Sequence, residues 1–335
     1  IMLLLFLQCL KKPRGPPKGE LPPVPAPASR HPSMLLAECP ADTGPVLRRP
    51  GRLNTAARGA DAAPRSLPAV LAAHTVHSEI GPPKEHTLCA EQKCTLCNTT
   101  FHNYVKCGEQ ERLRLLIETK GQNSKLWLDQ RKIRITSSEA SEVPKKVDPT
   151  NWVERKLNTN FSGNEVTRYG QQAEPLARQC FEETTGLTVE TTGLFVHDQE
   201  NWLGASLDGI IDTDTILEIK CPTSKKLEAH GGSLLKMIES NKYDVRMVDG
   251  KYTLRETASG SGYYYQVQVA MHCAKKRNCK FMVWAPNEHV ILDVPYNKEW
   301  TMSKICHLKS VYFQYLLPAV ATRIEHGVMK ICGLK

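Results

Sequence analysis

Gly204-Ala205-Ser206-Leu207-Asp208-Gly209-Ile210-Ile211-Asp212-Thr213-Asp214-Thr215-Ile216-Leu217-Glu218-Ile219-Lys220-Cys221-Pro222 carries the most informative local pattern in the chain. Apolar, β-branched runs flank the turn-forming triplet Asp212-Thr213-Asp214. This predicts a hairpin in which Asp208 lies across from positions 218–220. Side chains alternate along a strand, so Leu217 and Ile219 share one face while Glu218 and Lys220 share the other. One hairpin is thus expected to present two carboxylates and an ammonium together.

That combination suggests a chemistry. Paired carboxylates are hard oxygen donors suited to Mg²⁺, or Mn²⁺ in its place. A water held there is a natural nucleophile, which Lys220 could orient or deprotonate; alternatively Lys220 stabilises charge developing on a phosphate. Taken alone, a Glu-x-Lys triplet more often marks a solvated surface hairpin, so the rest of the chain has to decide.

Outward from the hairpin, β-type runs occur at 187–197, 281–284 and 290–294. Leu113, Leu116 and Ile117 form one helical face, and Ala173, Leu176, Ala177, Cys180 and Phe181 another. Helical patterns recur near 263–276 and 299–318. The alternation predicts an α/β domain with a mixed central sheet flanked by helices. Residues 227–260, with Gly231-Gly232, read as a mobile connection that could line a channel. Tyr263-Tyr264-Tyr265 could stack on bases, although aromatics beside an apolar helix usually belong to the core.

The 335 residues, 41% of them apolar, allow one domain of about 200 residues with extensions. Fifteen of the 22 prolines fall in residues 1–85. That composition cannot bury enough surface to offset ordering entropy, so a disordered tail is expected there. The net charge of +9 is a mild polyanion signal, because the tail alone carries 11 Lys/Arg against 6 Asp/Glu. Twelve cysteines in a chain of this size read as mostly reduced thiols.

Residues 86–109 hold His86, Cys89, Cys94, Cys97, His102 and Cys107. Zinc requires four converging ligands, for which Cys89, Cys94, Cys97 and Cys107 are the candidates; scattered thiols are the alternative. The opening Ile1–Leu10 run is too short to span a bilayer, and no basic region precedes it. Neither a membrane span nor secretion is expected, and the location is read as intracellular, nuclear in a eukaryote. A chain opening on Ile1 reads as a fragment or a conceptual translation. Residues 110–335 form the remaining, globular segment.

Several motifs occur in one order: Trp127-x3-Arg131, Ile135-Thr136-Ser137-Ser138-Glu139, Tyr169-Gly170-Gln171-Gln172-Ala173-Glu174, Ser206-x-Asp208-Gly209, Glu218-Ile219-Lys220 and Tyr265-Gln266-Val267-Gln268. In this order they resemble the PD-(D/E)xK nuclease superfamily and, within it, the YqaJ-type viral recombinase or phage lambda exonuclease-like family, over about residues 125–320. Leu207 stands where the superfamily name has proline, which supplies no ligand.

The resemblance implies a restriction-endonuclease-like fold and an Mg²⁺-dependent exonuclease that degrades linear duplex DNA, with a ring trimer as its assembly. It implies that Glu174, Asp208, Glu218 and the Ile219 carbonyl hold the metal, while Lys220 and Gln266 manage the water. It places a terminal 5′-phosphate at Arg131, Ser138, Ser206 and Lys226. Glu174 precedes Pro175, so it is expected at a helix start. The competing reading is a domesticated relative that binds DNA or chromatin without cutting it.

Overall fold

The computed structural model describes residues 94–158, 165–241, 243–256 and 262–333. The tail expected over 1–85, together with His86 and Cys89, lies outside the described residues. In chain order the helices are α1 (Thr95–Thr100), α2 (Glu109–Glu118), α3 (Lys125–Lys132), α4 (Thr150–Asn158), α5 (Glu165–Thr185), α6 (Ser224–Glu228), α7 (Leu234–Glu239), α8 (Tyr263–Ala274), α9 (Lys298–Val311) and α10 (Leu317–Glu325). The strands are β1 (Ile135–Thr136), β2 (Leu194–Val196), β3 (Leu203–Ser206), β4 (Gly209–Ile210), β5 (Thr215–Lys220), β6 (Val245–Val248), β7 (Lys251–Leu254), β8 (Asn278–Ala285) and β9 (Glu288–Pro295).

The principal sheet runs β4-β5-β8-β9. β4 and β5 are antiparallel, β5 and β8 parallel, β8 and β9 antiparallel, so the sheet is mixed as expected. Glu218 pairs in register with Phe281, and Lys220 with Val283. Parallel pairing of β5 with β8 needs a long crossover, which α6 to α8 supply. β8 is buried along nearly its whole length, as its continuous run Phe281-Met282-Val283-Trp284 requires of a central strand. β9 alternates buried and accessible residues and forms the edge. A smaller sheet, β1-β3-β2, carries Ser206 at the end of β3.

Helices cover both faces of the principal sheet. Ala173, Ala177 and Phe181 of α5 pack with Leu217, Ile219, Met282 and Trp284. Val267, Val269 and Ala270 of α8 join Ile216, Phe281 and Val283 in the larger core. Cys94, Cys97 and Val105 belong to that same core. The β5 alternation expected from sequence is therefore what separates the two layers.

Three local expectations need correction. Residues 227–260 are not an unstructured connection, because α6, α7 and the β6–β7 hairpin occupy most of them. Their apolar residues Leu227, Leu234, Met237, Ile238 and Val245 are spaced to bury against the core, where each is found. Glu174 is not at a helix start: α5 runs from Glu165 to Thr185 with Pro175 inside it. The local penalty of an internal proline is about 3 kcal/mol, and burial of Ala173, Ala177 and Phe181 on the sheet outweighs it. Of the run 187–197, only Leu194–Val196 is a strand, while Glu190 makes an isolated bridge to Ile210.

Candidate active site

The hairpin forms where the sequence places it. Asp214 N–H donates to the Asp212 carboxylate at 2.7 Å and Ile211 N–H to the Thr215 carbonyl at 3.0 Å, closing the turn. Gly209 pairs with Leu217, and a Cβ at Gly209 would lie 2.1 Å from Val189, so no side chain fits there. One residue earlier, Asp208 accepts the Ile219 N–H at 2.7 Å. Glu218 is only 1% exposed. Its Oε1 accepts Lys220 Nζ at 2.5 Å and Gln266 Nε2 at 2.5 Å.

Gln266 reaches this point because α8 begins at Gly262, whose φ of +69° and close approach to the Ser141 hydroxyl both exclude a Cβ. Glu174 is presented from α5 and is held by the guanidinium of Arg178, four residues along the same helix.

The electrostatics of the cluster follow from its burial. Burial, and then the nearby Asp208, push the Glu174 carboxyl up to about 7. Burial first and Asp208 second likewise raise Glu218, against the opposing pull of Lys220. Asp208 is raised by burial in spite of Lys220 and the Ile219 N–H. For Lys220 burial acts downward, but Glu218 and Asp208 outweigh it and hold its ammonium above the ordinary lysine range. Three carboxylates compete for a limited supply of cationic partners, and Glu218 Oε2 is buried without a hydrogen bond. An orphaned carboxylate oxygen amid raised carboxyl groups is the environment a divalent cation relieves, so these hard donors fit Mg²⁺ or Mn²⁺.

Arg131, Ser138 and Ser206 come together from α3, the loop after β1 and the end of β3. The guanidinium donates to the Ser206 hydroxyl from Nη1 and to the Ser138 hydroxyl from Nη2, both at 3.0 Å. It lies 4.5 Å from the centre of the Trp127 ring, whose indole N–H also donates to Ser206 at 2.9 Å. Of this group, Trp127 and Arg131 line a cavity of about 550 Å³, together with Thr136, Glu139 and Lys156. Lys226 is not brought to this group. Its ammonium stands 4.7 Å over Tyr243, which packs on Tyr263, the ring under Lys220. Tyr264 and Tyr265 are core residues, and Tyr263 is half-buried.

The zinc expectation finds no support. Cys94 caps α1 by accepting the Cys97 N–H, whereas Cys107 sits in a separate cluster with Leu115 and Trp127. Burial raises the Cys97 and Cys107 thiols.

Among the described residues, the group of metal-capable side chains whose ligand atoms lie within 4.8 Å of one another is His197, Glu200 and His272. Its two rings are stacked at 4.8 Å with 13° between planes, and His197 Nδ1 already accepts the N–H groups of Gln199 and Glu200. Imidazole lone pairs lie in the ring plane, so nearly parallel rings do not aim at one ion; this is a hydrogen-bonded histidine stack. The carboxylates of Glu174, Asp208 and Glu218 do not converge as tightly. Arg178, the Ile219 N–H and the Lys220–Gln266 pair each hold one of them.

Trp127, Arg178 and Tyr263 were not identified from sequence as parts of these sites. The i,i+4 spacing of Glu174 and Arg178 is a readable signal. The Trp127–Ser206 contact spans 79 positions and leaves no local trace.

No curated protein matches the chain. Among solved structures it is similar to an alkaline exonuclease, LHK-Exo, from Laribacter hongkongensis, at 20% identity over 61% of this chain and 98% of that one, with a TM-score of 0.45. The same exonuclease in complex with dAMP gives 20% identity, the same coverage and a TM-score of 0.46. A phage-related exonuclease from Haemophilus somnus 129PT gives 13% identity, 57% and 96% coverage, and a TM-score of 0.40. Residues 126–277, which include Arg131, Glu174, the Asp208–Lys220 hairpin and Gln266, match the model of the YqaJ-like viral recombinase domain family.

Proposed function

We propose that the chain is a divalent-metal-dependent deoxyribonuclease that hydrolyses linear duplex DNA from 5′-phosphorylated ends, inside the cell. The observation carrying this reading is the buried Glu218. One of its oxygens is shared by Lys220 and Gln266 and the other is unpartnered, beside Asp208 on the same hairpin. A pure DNA-binding protein gains nothing from burying carboxylates next to a phosphate backbone.

Glu174, Asp208, Glu218 and the Ile219 carbonyl would hold Mg²⁺ or Mn²⁺, which when bound neutralises the carboxylates and activates the nucleophile and the scissile phosphate. Lys220, donating to Glu218 beside Asp208, orients or deprotonates the attacking water or stabilises the charge developing on the phosphate. Gln266 holds Glu218 in one orientation through Oε1 and so directs Oε2. Arg131, with the Ser138 and Ser206 hydroxyls, receives the terminal phosphate through a planar donor fork. The expected boundary at residue 110 lies too late, since Cys94, Cys97 and Val105 pack in the main core; a domain from about residue 94 onward carries this activity, and residues 1–85 add charge that strengthens DNA binding at low salt.

Linear 5′-phosphorylated duplex and closed circular DNA are incubated with the protein in Mg²⁺ or EDTA. Loss of the linear substrate in Mg²⁺ alone, with the circle intact, is expected. Nicking of the circle, or equal loss in EDTA, would refute the proposal.

A further inference from the structure

Lys156 lies on α4, outside every motif that marks the site, and its side chain is 8% exposed. Its ammonium donates to the Glu139 carboxylate at 2.6 Å and to the Arg131 main-chain carbonyl, near the end of α3, at 3.2 Å. The same Glu139 oxygen accepts the Thr136 N–H at 2.8 Å. The Thr136 hydroxyl lies 3.3 Å from that of Ser138, which accepts Arg131 Nη2. The contacts close a ring: Arg131 backbone, Lys156, Glu139, Thr136, Ser138 and the Arg131 guanidinium. Lys156 and Glu139 both line the cavity that Arg131 borders.

Charge makes the ring more than a clip. A carboxylate with 22% of its side chain exposed, lining a cavity meant for a phosphate, would repel it. Lys156 cancels that charge at the point nearest Arg131, whose guanidinium makes no ion pair among the described residues and lines the same cavity.

Building on the end-directed reading above, we infer that Lys156 and Glu139 are a positioning pair that sets the charge of the Arg131 cavity and thereby its selectivity for a terminal phosphomonoester. Removal of Lys156 exposes the phosphate to an unneutralised Glu139, whereas removal of the Glu139 charge leaves an extra cation. The two substitutions therefore act in opposite directions, which a merely structural ion pair would not do.

The test measures binding of the full chain, in EDTA so that nothing is cut, to labelled hairpin duplexes that differ only in a 5′-phosphoryl or 5′-hydroxyl end. Wild type is expected to favour the phosphoryl end. Lys156→Met should reduce that preference at least about tenfold, the scale of one unit charge acting over about 12 Å at an effective dielectric of about 20. Glu139→Gln should increase it, and the double variant should return toward wild type.

A Lys156→Met protein with undiminished preference overturns the inference. So does a Glu139→Gln protein that loses preference, which keeps the test decisive if Lys156→Met does not fold. Absence of preference in wild type instead removes the end-directed reading on which this inference rests.

Discussion

Replacing Glu218 by glutamine tests whether its burial is tolerated for stability or retained for metal. The carboxyl is raised from an ordinary 4.5 to about 8, by burial first and by Asp208 second. A raised carboxyl means that the folded chain holds a proton the unfolded chain has released. Its stabilising contribution is present below about pH 4.5 and is lost as pH rises toward about 8. At about 1.4 kcal/mol per unit, a fully developed shift of this kind costs a few kcal/mol by pH 9, with Glu174 adding a similar slope up to about pH 7.

Metal-free wild type should thus melt at progressively lower temperature from pH 5 to pH 9. Glu218→Gln should flatten that slope without abolishing it, because one of three raised carboxyls is gone. Mg²⁺ should stabilise wild type more at pH 8.5 than at pH 6, where protons compete for the same oxygens. The same variant should lose at least about 100-fold in cleavage, since a metal ligand and the Lys220 partner disappear together. Melting curves at five pH values with EDTA, paired with turnover of linear duplex in Mg²⁺, measure both effects. A variant with the wild-type pH slope, or with more than about a tenth of wild-type turnover, would refute the assignment of Glu218.

Asp208→Asn should retain DNA binding and lose Mg²⁺-induced thermal stabilisation together with cleavage; calorimetric Mg²⁺ affinity equal to wild type would contradict its place in the metal site. Arg131→Ala should abolish the rate advantage of a 5′-phosphorylated over a 5′-hydroxyl end, a loss of about 1.5–3 kcal/mol per charged hydrogen bond, while slow metal-dependent cutting continues. Equal wild-type rates on the two ends would show that the Arg131 group does not read the terminus. Pro175 is exposed inside α5, so Pro175→Ala should restore a helical hydrogen bond and stabilise the fold by about 1–3 kcal/mol in thermal melts. A fall in melting temperature would mean that the proline is needed to shape the helix around Glu174.

The Asp208–Lys220 hairpin was legible in sequence because strand alternation and turn chemistry are local properties. The spacing of Asp208, Glu218 and Lys220 fixes their mutual placement once a hairpin forms, and Leu217 and Ile219 fix which face packs on α5. The mixed sheet was legible for the same reason, from short β-branched runs between helical periods. Glu174 shows where local rules fail. The proline after it argued for a helix start, yet Ala173, Ala177 and Phe181 gain enough by packing on Leu217 and Met282 to carry the helix through.

The apolar spacing within residues 227–260 was present but short, and only the core it packs against makes those segments fold. Charge states lie furthest from sequence. That Glu218 is buried with one unpartnered oxygen, that Arg178 holds Glu174, and that Lys156 neutralises Glu139 beneath Arg131 all depend on residues brought together across the chain. Residue identity sets which groups can ionise; tertiary packing, by removing water and choosing neighbours, decides which of them do.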